Sequence, residues 1–284
     1  MKRPFPIAVS GIGLAHCLSW DELLAGEALR VSRKTDTGEL RTLLPGASLR
    51  RVPHFARMAL LAAVRALRAA GKADSARTAL ALGTAYGSSE MNMDFMDSVL
   101  EHGPRLSSPT AFSHAVNNMG AGMISLLLDI RGPCLTISQF ELSFAGALAA
   151  GRLLLQSGRA DRVLVGAADE TDARFAACCP QVAGQGIAQT EGAVFLCLDA
   201  SRPADVAMDV EWGVAAADDA LVLLSGGAQG PGRRNAPVYG HTPLAQALDC
   251  CIGISLLRAG ATRRVRCSCA DIAHKRQAHI VLRS

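Results

Sequence analysis

The chain has 284 residues, half of them hydrophobic and only 4% aromatic, with 19% charged and a net charge of +4. That length allows one large domain or two fused halves around an ample core, and such a composition excludes a disordered chain. Scattered arginine pairs (Arg50-Arg51, Arg233-Arg234, Arg263-Arg264) with few aromatics exclude a nucleic-acid binder, and no apolar run approaches the roughly 18–20 residues of a membrane span.

The start, Met1-Lys-Arg-Pro-Phe-Pro, has no apolar signal region, so a cytoplasmic protein is expected. Ile7–Ser10 reads as a strand ending at a turn, Gly11-Ile-Gly13. Val31–Leu49 is polar and mixed, a long connection or lid. Arg57–Ala70 is apolar at helical spacing and stops at Gly71. Thr78–Leu82 is a strand closing on Gly83, and Asn92–Glu101 an amphipathic helix. Met119–Leu128 is a helix, Cys134–Ser138 a strand and Ser143–Gln156 a helix with no polar face over two turns, which places it inside the protein. Arg162–Ala167 and Gly192–Leu198 are continuously apolar, as strands buried on both faces are. Val206–Trp212 and Ala220–Leu224 are further strands. The Gly-rich stretch Ser225–Asn235 is a loop, Leu244–Arg258 a helix and His279–Arg283 a last strand. No internal repeat is readable. The alternation predicts an α/β fold with helices on both sides of the sheet, thick enough to surround an apolar helix.

Common motifs fail. Gly11-x-Gly13 lacks the third glycine of a dinucleotide site, Gly83-Thr-Ala-Tyr-Gly87 has no phosphate-loop lysine, and no G-x-S-x-G elbow occurs; the glycines read as turns. Nine cysteines without scaffold spacing read as reduced, buried small hydrophobes. Cys267-x-Cys269, with His274 and His279 beyond, lacks the CxxC spacing of a structural zinc site, so neither metal nor cofactor is expected. The informative stretch is the strand Cys134–Ser138 turning into the apolar helix. It sets Gln139–Leu142 at a helix N-terminus, where unpaired N–H groups favour an anion or an activated thiol.

Here the chain resembles the β-ketoacyl synthases of the thiolase superfamily. The likeness runs through Val9-Ser-Gly-Ile-Gly13, Leu82-Gly-Thr-Ala-Tyr-Gly-Ser88, Ser108-Pro-Thr-Ala-Phe112 to Asn117, Gly132-Pro-Cys-Leu-Thr-Ile-Ser138, Val165-Gly-Ala-Ala-Asp-Glu170 and Glu191-Gly-Ala-Val194. It implies a layered αβαβα fold with a first half at 1–205 and a shortened second half at 206–284, together one compact unit. Where that family carries its nucleophilic cysteine, this chain has Glu141 in Gln139-Phe140-Glu141. Gly226 stands where the first catalytic histidine belongs, His241 matches the second, Ala236 replaces the lysine, and the oxyanion loop corresponds to Ser268–Ala273. The resemblance also puts Phe112, Asn117, Asn118, Ser138, Gln139 and Phe140 at a subunit interface and tunnel wall.

Glu141 has three readings: a cap on the apolar helix paired with His241, a mimic of a malonyl group, or a general base; capping with pairing is favoured. No confident catalytic residue is assigned. The resemblance implies a silent subunit of the chain-length-factor kind, of the truncated type that accompanies aryl polyene synthases. It would pair with a full-length β-ketoacyl synthase, shape its acyl tunnel and meet acyl carrier protein through the complex. One alternative is a stand-alone malonyl or acyl thioester decarboxylase or transferase using Glu141 and His241. Another is a scaffolding homodimer that holds acidic carrier protein through arginines.

Overall fold

The computed structural model describes residues 5–29, 34–178, 188–200, 202–203, 205–215, 218–271 and 276–284. Its strands are β1 (Phe5–His16), β2 (Thr78–Gly83), β3 (Cys134–Ile137), β4 (Arg162–Asp169), β5 (Gly192–Asp199), β6 (Val206–Trp212), β7 (Leu221–Gly226), β8 (Arg264–Ala270) and β9 (Gln277–Arg283). The helices are α1 (Trp20–Ala25), α2 (Leu40–Leu43), α3 (His54–Ala70), α4 (Ser89–His102), α5 (Pro109–Ala115), α6 (Met119–Leu127), α7 (Ser143–Gln156), α8 (Ala173–Cys178), α9 (Ala236–Tyr239) and α10 (Ala245–Arg258).

The nine described strands lie in the order β3-β2-β4-β5-β1-β6-β9-β8-β7. The order repeats itself. In the first half β1–β5 and β5–β4 are antiparallel and β4–β2 parallel; in the second, β6–β9 and β9–β8 are antiparallel and β8–β7 parallel. The halves join where Phe5–Ile7 of β1 pairs with Val206–Met208 of β6. A duplication without any readable repeat of residues is thus written in the topology.

α3 and α6 cover one face of the first half, through a cluster that includes Phe55, Leu60, Leu82, Ile124 and Phe195. α7 and α10 fill the layer between the two half-sheets, where Phe144, Leu148, Leu196, Leu248, Ile254 and Leu282 belong to one core cluster. This is the layered α/β fold expected, and the second half carries less on its outer side than the first. Eight residues join β6 to β7, where α1, α2 and α3 stand between β1 and β2, and among the described residues no counterpart of β3 flanks β7. Strand chemistry fits the change. Val265 and Cys267 face α10, while Arg264, Ser268 and His279 alternate to the other face. That face is closed by the β6–β7 link: Asp218 pairs with Arg264 and Arg266, and His279 bonds Ser268 Oγ and the Gly213 carbonyl, each at 2.8 Å.

Several expectations are corrected. Gly11 and Gly13 are not a turn but lie inside β1. A Cβ built on them would stand 2.1 Å from the Ala66 carbonyl oxygen and 1.9 Å from that of Ala62, so these glycines let α3 rest directly on the strand. Cys267 and Cys269 belong to the unforeseen strand β8, on the face opposite His279; His274 lies outside the described residues. Of the stretch expected as an oxyanion loop, Ser268–Ala270 is strand, and 272 and 273 lie outside the described residues. α7 is buried along most of its length, yet Leu153 near its C-terminal end is 64% exposed. Five cysteines are buried as expected, but Cys134 and Cys178 are exposed. Of the expected lid at 31–49, residues 31–33 lie outside the described residues. The remainder is anchored, with Thr35 buried and donating its N–H to Glu191 at 3.0 Å.

Candidate functional site

The turn from β3 into α7 is built by Ser143. Its Oγ accepts the Gln139 N–H at 2.8 Å and has two carbonyl acceptors for its one proton, that of Phe140 at 2.6 Å and that of Thr84 at 3.0 Å. This bends Gln139 back over α7, beside Gly146, and turns Phe140 outward at φ +52°. The N-cap residue of α7 is Leu142, whose side chain makes no capping bond, so Glu141 lies one position before the cap expected of it.

Glu141 faces a small cavity together with Tyr86, Glu170, Gly226, Arg234 and His241. The fold therefore brings Glu141, Gly226 and His241 into one place. Gly226 ends β7 at φ +54°, and a Cβ there would meet the Ala270 carbonyl oxygen at 2.4 Å, Cys269 Sγ at 3.0 Å and Glu141 Cβ at 3.4 Å. No histidine fits that position. His241 follows α9 and is pinned by its backbone, its N–H on the Ala188 carbonyl (2.7 Å) and its own carbonyl accepting from Thr190 (3.1 Å). Burial lowers the His241 pKa.

One thiol does approach the nucleophile position. Cys269 Sγ lies 3.4 Å from the Glu141 carbonyl oxygen, but it is 1% exposed and burial pushes it up to about 12. A thiol so buried and so raised stays protonated and is no nucleophile. The cavity measures about 70 Å³, against roughly 300–1,000 Å³ for pockets that hold small-molecule ligands. It has no room for an acyl chain.

Tyr86, Glu170 and Arg234 were not foreseen as site residues. The adjacent acids Asp169-Glu170 at the end of a buried strand were the available signal. Asp169 accepts from Thr84 Oγ1 and the Ala85 N–H at 3.0 Å and from the Tyr86 N–H at 2.9 Å. Glu170 Oε1 accepts from the Glu90 N–H at 2.8 Å, while its Oε2 is buried with no partner among the described residues. Burial raises both carboxyls to about 7, although these donors favour the charged forms. Glu191 shows the opposite balance. Burial works to raise it, but the His54 imidazole at 2.7 Å and the N–H groups of Thr35 and Thr171 outweigh that and hold it at about 2.

A pH profile of stability follows with a defined sign. A carboxyl whose pKa is raised by the fold leaves stability at its full value below about pH 4, and that stability is lost as pH climbs to 7. Glu191 contributes above about pH 4.5, and its share is lost as pH falls toward 2. Asp169→Asn, which mimics the protonated acid, is expected to gain on the parent steadily between pH 4 and 7 when urea midpoints are compared. A difference that stays constant across that range would show that Asp169 does not carry the proton.

The expected interface set is largely on the surface. Phe112 is exposed and rests on Phe95 with ring centroids 5.3 Å apart; Asn117, Asn118 and Ser138 are exposed, whereas Gln139 is half-buried. With Cys134 and Leu135 on β3, Leu126 on α6 and Val116 just past the end of α5, exposed apolar side chains follow one another along this edge. The outer side of β3 pairs with no strand among the described residues. At the other end of the sheet, β7 is covered by its own loop: the Leu224 N–H bonds the Arg233 carbonyl at 2.8 Å and the Arg233 N–H that of Val222 at 2.9 Å. No helix among the described residues is long and apolar enough to cross a membrane.

Comparison with known proteins adds the following. The 3-oxoacyl-[acyl-carrier-protein] synthase 2 of Vibrio cholerae is 25% identical over 188 residues, 58% of this chain and 45% of that protein. The chain thus spans about half the length of the curated relatives it matches. In fold it is similar to the AntDE:AntF complex, a type II polyketide acyl-carrier protein with its ketosynthase (TM-score 0.79, 14% identity, 99% of each chain covered). It is also similar to the ketosynthase ApeO in complex with its chain length factor ApeC from Xenorhabdus doucetiae (TM-score 0.64, 16% identity, 97% of this chain and 99% of that one). The family model for the N-terminal domain of β-ketoacyl synthases matches residues 20–199, well over half of the chain and the whole stretch that builds β2 to β5 with Glu141 and Glu170. The chain belongs to the β-ketoacyl synthase family.

Proposed function

We propose that this chain is a catalytically silent ketosynthase-like subunit that pairs with a full-length β-ketoacyl synthase and shapes its acyl tunnel, a chain-length factor of the aryl polyene type. The observation that carries this reading is the closed position at Gly226. A side chain at Gly226, where the resemblance sets the first histidine, would run into the backbone of β8. Glu141 at the nucleophile position and a cavity of about 70 Å³ point the same way. The pairing is supported by the apolar, unpaired β3 edge and by the likeness to structures described as ketosynthase complexes, one with a chain length factor and one with an acyl-carrier protein. Carrier protein would then be met through the complex.

The alternative of a stand-alone decarboxylase or transferase has Glu141 and His241 in one cavity in its favour, but the same cavity is too small for a thioester substrate to reach both. Two measurements decide. Incubation of the purified chain with a labelled malonyl or acyl thioester is expected to leave its mass unchanged and release no carbon dioxide. Co-expression with a neighbouring cysteine-containing synthase is expected to give a one-to-one complex on gel filtration. A covalently loaded chain, or a soluble monomer indifferent to any synthase, would overturn the reading.

A further inference from the structure

We infer that the cleft along the free side of β1 binds an adenosine group, held by main-chain atoms of Ile12 and Leu14. The inference does not depend on the silence or the pairing proposed above, since β1 and β3 stand at opposite ends of the first half-sheet.

β1 outruns one of its neighbours. Its pairing with β6 stops at Ile7, while its pairing with β5 continues to His16. One side of residues 8–16 therefore has no strand against it among the described residues. Successive residues of a strand aim their N–H and C=O alternately to either side. Three bonds fix the free side. The Val9 N–H goes to Asp205 Oδ1 at 2.9 Å, the Val9 carbonyl accepts from Arg258 at 2.5 Å, and the Leu14 carbonyl accepts from Arg65. An irregularity between Val9 and Gly11 shifts the alternation, so residues 12 and 14 share this side with residue 9. The Ile12 N–H, the Ile12 carbonyl and the Leu14 N–H have no partner on it among the described residues.

The two arginines decide what can sit there. With Arg258 on Val9 and Arg65 on Leu14, the open stretch is too short for an added strand, which typically has about five or six residues. It suits one flat ring. A carbonyl and an N–H two residues apart on one strand edge offer an acceptor beside a donor. Adenine presents the complement, its N6 amine as donor next to N1 as acceptor.

The cleft has the size and walls for such a ligand. It measures about 940 Å³, inside the roughly 300–1,000 Å³ of small-molecule pockets. Ile12 and Trp20 supply apolar surface for the base, and Glu22 and Asp36 supply carboxylates for ribose hydroxyls. Its cations Lys34, Arg65 and Arg258 are each paired already, with Glu191, Glu39 and Asp205. The nucleoside rather than a phosphate thus carries the recognition. This is not the glycine turn of a dinucleotide site, because Gly11 and Gly13 lie under α3.

Isothermal titration of the purified chain tests this, with adenosine, 1-methyladenosine, inosine, ADP and inorganic phosphate as probes. Adenosine is expected to bind and to slow hydrogen exchange at the Leu14 amide. Blocking N1 in 1-methyladenosine, or replacing the N6 amine in inosine, should weaken binding at least about tenfold, the effect of a hydrogen bond left unmade. Ala69→Trp, at an exposed position on the α3 wall, should abolish binding and leave the urea midpoint unchanged. Equal binding of adenosine and ADP points to the free nucleoside as the source, and tighter binding of ADP to a phosphorylated one. Equal binding of the three nucleosides, or binding of ADP and phosphate without adenosine, would overturn the inference. So would the absence of both heat and protection at millimolar adenosine. Protection of Leu14 by a partner synthase in place of the nucleoside would give the edge to an added strand and overturn it as well.

Discussion

Gly226→His, which puts a histidine where the resemblance sets the family's first one, is expected to unfold or severely destabilise the chain rather than move it toward activity. The new Cβ would stand 2.4 Å from the Ala270 carbonyl oxygen, and that oxygen cannot retreat. It accepts the Gly227 N–H at 2.8 Å, and Ala270 is the register partner of Gly226 in the β7–β8 ladder. The position also has φ +54°, so any side chain adds left-handed strain to the overlap. Together these place the cost at or above about 3 kcal/mol, a large part of the roughly 5–15 kcal/mol that holds a typical domain folded. Denaturant titration of the purified variant should show the midpoint collapse, or soluble protein should be lost outright. Glu141→Cys is expected to fold, since Glu141 lines the cavity, yet to stay without condensing activity because no base can stand at residue 226. A well-folded Gly226→His with a parent-like midpoint would mean that β8 yields, and the case for permanent silence would fail.

Much of this architecture was legible because strands buried on both faces leave an unambiguous trace. Thr78–Gly83, Arg162–Asp169 and Gly192–Asp199 are buried at every residue, and their unbroken apolar character says so. α3 was legible from its apolar spacing and from Gly71, which ends it at φ +77°. The failures have physical causes. Gly11 and Gly13 carry the same letter whether a strand turns or a helix lies on it, and the helix that decides lies some fifty residues away. β8 alternates arginine and serine with valine and cysteine in a period of two, which is a strand signal, but the paired cysteines drew attention to metal instead. At the site, the resemblance singled out Glu141, Gly226 and His241, and the fold sets these three on one cavity. Tyr86, Glu170 and Arg234 reach the cavity from three separate segments, a convergence only the fold displays. The closure at Gly226 was beyond reach for the same reason, because the atom that fills the space belongs to Ala270.

Leu135→Glu should abolish pairing with the synthase while leaving the free chain as stable as before. Leu135 is 40% exposed on β3, and its ladder partner is Ala81 of β2 on the inner side, so the free chain loses little burial and its stability should change by no more than about 0.5 kcal/mol. In the proposed complex the same carboxylate would be carried into the contact on the exposed apolar edge of β3. Desolvating it there should weaken binding by at least about 100-fold, near 2.7 kcal/mol. The control lies at the other end of the sheet. Leu221 of β7 is 37% exposed, similar in chemistry and exposure, but its strand is covered by the loop through Arg233. Leu221→Glu should therefore form the complex normally. Titrating labelled synthase with each variant separates the two: loss in Leu135→Glu alone assigns the contact to the β3 edge. Equal binding by both variants would move the interface elsewhere, and a loss confined to Leu221→Glu would place it on the second half, where the loop would have to open first.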